Sequence, residues 1–119
     1  MTVKQILELD IFGVLTDVTQ INVQAEVSGI FVGDMFSHVI SHAKKGSVWV
    51  TVTASLNTVA VAVLREMPCV VIADGIVPEN DVILRANENG VCILSCEKSA
   101  FEVVTALNSL NEKVSENQV

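Results

Sequence analysis

The chain has 119 residues, a net charge of −7 at neutral pH and an isoelectric point near 4.6. That length makes one domain whose core can stand without disulfides or metals. The acidic balance argues against nucleic acid and against anionic membrane as partners, and four Phe, one Trp and no Tyr are too few for a stacking platform on single strands.

Half of the residues are apolar and the mean hydropathy is +0.53. Val and Ile dominate the apolar runs, as in strands buried on both faces of a helix-covered parallel sheet. The three cysteines, Cys69, Cys92 and Cys96, are odd in number and form no CxxC, so neither a disulfide framework nor a zinc ribbon is indicated. Cys69 and Cys92 lie in strand-like runs and are read as small apolar core residues; Cys96 is the one thiol expected within reach of solvent. The start reads as a capped helix rather than a secretory leader. No apolar run approaches the ~18 residues of a membrane span. The expectation is a soluble protein of the reducing cytoplasm.

In chain order, Thr2 to Gln5 has capping-box spacing, and Val3, Ile6 and Leu7 share one face of a short helix. Val14 and Leu15 begin a short strand. Asn22 to Val27 alternates apolar and polar residues and predicts a half-solvated strand. Ile30 to Val32 reads as a short buried strand ended by Gly33 and Asp34. Asp34 can cap the next helix, with Met35, Phe36, Val39, Ile40 and Ala43 as its buried stripe. Lys44 and Lys45 then suit the helix end, and Gly46 the position just past it.

The centre of the chain is Val48 to Leu64. Val48 to Val52 is β-branched and aromatic, as strands prefer. After the polar corner Thr53 to Asn57, the residues Val59, Ala60, Val63, Leu64 and Met67 fall at helical spacing. Asn57 is read as the N-cap, whose loss would cost about 1 kcal/mol. Pro68 turns the chain into the continuous apolar run Cys69 to Ala73, ended by Asp74 and Gly75. Pro78, Glu79 and Asp81 suit the start of a helix that carries Val82, Ile83 and Ala86 inward and closes at Gly90. Val91 to Leu94 is the last strand. Ser99 to Glu102 is a second capping box, opening a helix with Val103, Val104, Leu107 and Leu110 inside. Residues 1–110 are thus one α/β domain, a mostly parallel sheet with helices packed on its faces. Residues 111–119 read as a polar, frayed tail.

Several stretches resemble the DRTGG domain family. They are Val27 to Asp34, Lys45 to Thr51, Asn57 before Val59 to Ala62, Asp74 and Gly75 with Pro78, and Gly90 before the last strand. The resemblance covers residues 1–110. It implies a small α/β fold similar to the N-terminal domain of the bacterial kinase/phosphorylase that acts on the phosphocarrier HPr. It also implies a regulatory role, a tendency to pair, and company with pyrophosphatases and phosphotransacetylases. Where relatives carry Asp-Arg-Thr or His-Pro-Asn, this chain has Ala54 to Asn57, and where they carry Thr-Gly-Gly it has Ala73 to Gly75. Asn57 and Gly75 carry over. An anion-binding Arg does not, and Asp74 would repel an anion.

In open α/β sheets ligands gather beyond the carboxyl ends of the strands. The candidate binding residues are therefore Asp34, Thr53, Ser55, Asn57, Asp74, Gly75 and Ser95. Each also has an ordinary reading as a cap or turn residue. His38 and His42 stand at i and i+4, a spacing that can share a metal, but two ligands do not complete a site, so no metal and no cofactor are expected. The patterns GxxxxGK[ST], GxGxxG and GxSxG are absent, which disfavours kinase, dinucleotide and hydrolase chemistry. The expectation is a non-catalytic regulatory or protein-interaction module that pairs with itself as a homodimer. Its partner is expected to be a kinase, a transferase or a redox protein. The alternative is a small-molecule sensor for a nucleotide or acyl metabolite at the strand-end edge.

Overall fold

The computed structural model describes residues 1–117. In chain order the elements are α1 (Val3–Leu7), β1 (Gly13–Val14), β2 (Ile30–Val32), α2 (Phe36–His42), β3 (Val48–Thr51), α3 (Leu56–Leu64), β4 (Cys69–Ile72), α4 (Asn80–Glu88), β5 (Cys92–Ser95) and α5 (Ala100–Asn117). The five strands form one sheet in the order β1-β5-β4-β3-β2. Strands β2 to β5 are parallel and β1 closes one edge antiparallel to β5. The chain is thus an α/β domain with a mostly parallel sheet.

Side chains alternate across a strand, so in-register rows point to opposite faces. The row Val48, Cys69, Cys92 faces α1 and α5, where Ile6, Val103 and Leu107 complete one core. The row Trp49, Val70, Ile93 faces α2, α3 and α4, where Val39, Val59, Ala62, Val82 and Ala86 complete the other. Strands buried on both faces explain why their sequence runs are continuously apolar. Trp49 is fully buried, and its indole N–H donates to the Gly33 carbonyl at 2.8 Å. Among the described residues no helix is long and apolar enough to cross a membrane.

Both capping boxes form. The Gln5 amide donates to Thr2 Oγ1 at 3.2 Å, and the Thr2 amide to Gln5 Oε1 at 2.8 Å. Ser99 and Glu102 make the same reciprocal pair at 3.2 and 3.3 Å. Gly90, with φ of 69°, follows α4 as expected.

Other expectations are corrected. Residues 22–27 are not a strand of the sheet. They run beside the N-terminus, where Ala25, Val23 and Met1 carbonyls accept from Val3, Lys4 and Val27. Helix α2 ends at His42, before the two lysines, and Gly46 lies in the following loop. Because α2 lies over the edge strand β2, its Ile40 and the preceding Met35 stay exposed at 37% and 66%. Val59 and Met67 of the expected stripe are buried, but α3 turns the other three members of the stripe outward. Thr58, Val59, Val61 and Ala62 are buried, whereas Ala60, Val63 and Leu64 face outward. Of the expected tail, residues 111–117 continue α5, with Val114 packed on the core; the last two lie outside the described residues. Cys96 is buried rather than reachable.

Candidate functional site

The carboxyl ends of β2 to β5 present four corners along one edge of the sheet. At the first, Asp34 follows β2 and leans onto β3. Its Oδ1 accepts from Thr51 Oγ1 at 2.8 Å and from the Val52 amide at 2.9 Å. It therefore does not cap α2, whose N-cap position is held by Met35 with no side-chain bond. From Thr51 a chain of hydroxyls runs to Thr53 at 2.9 Å and on to Thr58 at 3.3 Å. Thr58 Oγ1 also accepts from the Ser55 amide at 3.2 Å. Ser55, not Asn57, occupies the N-cap of α3. Asn57 sits one residue inside the helix and is exposed. The helix begins earlier because Thr58, fully buried, can take the free amide of Ser55 from within the corner.

At the third corner Asp74 and Gly75 both adopt left-handed backbone, with φ of 61° and 72°. Their amides donate to the Lys98 and Cys96 carbonyls at 2.9 and 2.8 Å, which ties the loop after β4 to the loop after β5. A Cβ on Gly75 would stand 2.6 Å from Glu97 Oε2, so the Glu97 carboxylate lies directly over this turn.

Two hollows open along the edge. The wider, about 670 Å³, is lined by Ser55, Asn57, Val77, Glu79 and Asp81 among others. The smaller, about 240 Å³, is lined by Gly13, Gly75, Val77, Ser95 and Glu97 among others. Val77 borders both. The seven sequence candidates therefore share an edge but not a pocket. Ser55 and Asn57 line one hollow, Gly75 and Ser95 line the other, Asp34 and Thr53 belong to the hydroxyl chain, and Asp74 lines neither hollow.

Residues that sequence reasoning did not assign to the site are Glu79, Asp81, Glu97 and Val77. The first two had been explained by the dipole of α4, and the signal that could have found them is their position just after a strand-end turn. With Asp34 and Asp74 they make the edge acidic; all five carboxylates are exposed. Lys98 is nearby, but its Nζ lies 3.8 Å from Glu102. Lys44, Lys45 and Arg65 belong to the loops at the opposite ends of the strands. The edge therefore repels polyanions and attracts cations.

The remaining reactive groups lie elsewhere. Cys69 and Cys92 are register partners on adjacent strands. A hydrogen bond to Cys92, together with burial, pushes the Cys69 thiol well above its usual range, as suits a packed, inert thiol. His38 and His42 stack at 4.2 Å on the exposed side of α2. Among the described residues no three His, Cys, Asp or Glu side chains cluster as metal ligands would.

The DRTGG domain pattern matches residues 14–110 of the chain. No curated protein sequence matches it. Among solved structures the chain is similar to the CBS and DRTGG domains of the regulatory region of Clostridium perfringens pyrophosphatase, complexed with the activator diadenosine tetraphosphate. The TM-score is 0.59 at 10% identity over 77% of this chain. The chain spans 39% of the length of that structure.

Proposed function

Because the chain belongs to the DRTGG domain family, we propose that it is a non-catalytic regulatory module that works by protein contact, as a homodimer that docks a partner through the strand-end edge. The observation that carries the docking reading is the composition of that edge. Exposed apolar side chains, Met35 at 66%, Ile76 at 39% and Val77 at 64%, stand among the five carboxylates. Exposed apolar side chains interspersed with charged ones suit a protein contact better than a closed catalytic site. The partner of stated chemistry is a protein with a basic face, whether kinase, transferase or redox protein. A bait of the purified chain should retain such a partner in low salt and release it as salt rises. Val77→Asp and Asp81→Lys should each weaken that binding while the melting temperature holds. If both variants bind as the wild type does, the strand-end edge is not the docking surface. The chain alone should transfer no labelled phosphate from ATP to protein; transfer would overturn the non-catalytic reading.

The size of the wider hollow favours a second reading, a small-molecule sensor. About 670 Å³ lies within the ~300–1,000 Å³ range of ligand sites. Its Glu79 and Asp81 disfavour a bare polyphosphate. Nucleotides and acyl metabolites should therefore leave the melting temperature unchanged. A rise of several degrees that Asn57→Ala abolishes would select the sensor over the docking module.

A further inference from the structure

Helix α3 carries no charged residue between Leu56 and Leu64. A helix that is apolar all round is ordinarily covered all round. Its inner side is buried on the sheet, with Thr58, Val59 and Ala62 at 0–1% exposure. Its outer side repeats an apolar stripe at i, i+4, i+7 and i+8, namely Leu56, Ala60, Val63 and Leu64, and this stripe is open. Leu64 is 63% exposed, Val63 44% and Leu56 39%. Helix α3 is the middle helix of its layer, packed between α2 and α4. Arg85 of α4 and Asn89 just after it border this stripe, and Leu84 on α4 is 60% exposed.

Resting on the homodimer reading, we infer that this face is where two copies meet, α3 against α3, about a two-fold axis parallel to the helices. A self-complementary patch on a symmetry axis is how most homodimers form, and the small Ala60 in the middle of the stripe lets the helices approach. Charge selects the direction of the axis. An axis across the helices lays α4 over α4 and α2 over α2. An axis along them lays α4 of each copy over α2 of the other. Asp81 and Glu88 stand three residues before and four after Leu84, on the same side of α4. Arg85 is turned to Glu88 of its own helix, at 3.7 Å. Stacking α4 on α4 would therefore bring carboxylates onto carboxylates. Helix α2 has no carboxylate; it offers Ser37, His38, Ser41 and His42, all exposed, and Lys44 follows it. The axis along the helices is the one that pairs acid with hydroxyl and base.

The test is the mass of the full chain by sedimentation or light scattering at micromolar concentration. The wild type should give twice 12.8 kDa. Leu64→Glu should give the single-chain mass with its circular dichroism unchanged, since the side chain is exposed. Phe101→Glu, at an 80% exposed position on α5, should remain a dimer. Glu88→Lys should raise the dimer dissociation constant about tenfold, because the new cation faces imidazole and lysine. A monomeric wild type would overturn the homodimer reading itself. A wild-type dimer that Leu64→Glu leaves intact would overturn this interface and leave that reading standing. A dimer that Leu64→Glu splits but Glu88→Lys tightens would overturn the direction of the axis.

Discussion

Asp34 illustrates how a short polar side chain acquires its role from a distant strand. Its two donors, Thr51 Oγ1 and the Val52 amide, come from the end of β3. Asp34→Ala removes an acceptor from both and should cost about 1.5–3 kcal/mol, the range for hydrogen bonds to a charged group. Asn57→Ala, by contrast, changes an exposed residue inside the first turn of α3 and should cost no more than about 0.5 kcal/mol, as surface substitutions do. Urea denaturation of the two variants checks the order. An Asn57 effect equal to that of Asp34 would restore Asn57 as the cap. The difference was illegible in the sequence because both residues have cap chemistry and correct spacing. Only the approach of β3 and the buried Thr58 hydroxyl decided which donors they meet.

At the scale of elements, the corner before α3 and the start of α5 hold their helices by different means. Thr58 is buried and bonds both the Ser55 amide and the Thr53 hydroxyl. Thr58→Val keeps the shape but strands these partners, and should cost about 1–3 kcal/mol; an unchanged denaturation midpoint would show that the hydroxyl chain contributes nothing. The box at α5 is exposed and acts through ionisation. The Ser99 amide, with help from its hydroxyl, holds the Glu102 carboxyl below its ordinary pKa of 4.5. A carboxyl lowered in the folded state binds fewer protons there than in the unfolded chain, so stability rises with pH through this window. The contribution is complete above the ordinary value and is lost as pH falls through the lowered one. Glu102→Gln should therefore flatten the acid side of the melting-temperature curve below about pH 4.5. A variant as acid-sensitive as the wild type would remove this role. Both boxes were legible because capping is local in sequence.

At the scale of the molecule, the two cores share every parallel strand. Trp49 reports on the face under α2 to α4, and Cys69, Cys92 and Cys96 report on the face under α1 and α5. A sheet common to both cores should unfold as one unit. Indole fluorescence and thiol labelling should then change at the same denaturant concentration, with labelling slow below it. Separate midpoints would mean that the helix layers detach independently.

The sequence by itself determined the alternation of strands and helices, the doubly buried sheet and both capping boxes. These follow from short-range rules: continuous apolar runs bounded by Gly, Pro and Asp, and cap residues three positions apart. The strand-end edge was legible for the same reason, since its turns end each strand. The tertiary structure alone decided which stripe of α3 is buried. That helix has apolar residues on both sides, so its period carries no preference, and the buried side is the one that meets Trp49, Val70 and Ile72. It also decided that residues 22–27 pair with the N-terminus instead of joining the sheet, because alternation marks a half-buried segment without naming its neighbour. The division of the seven candidates between two hollows had the same origin: the position of Val77 depends on how the loop after β4 is tied to the loop after β5.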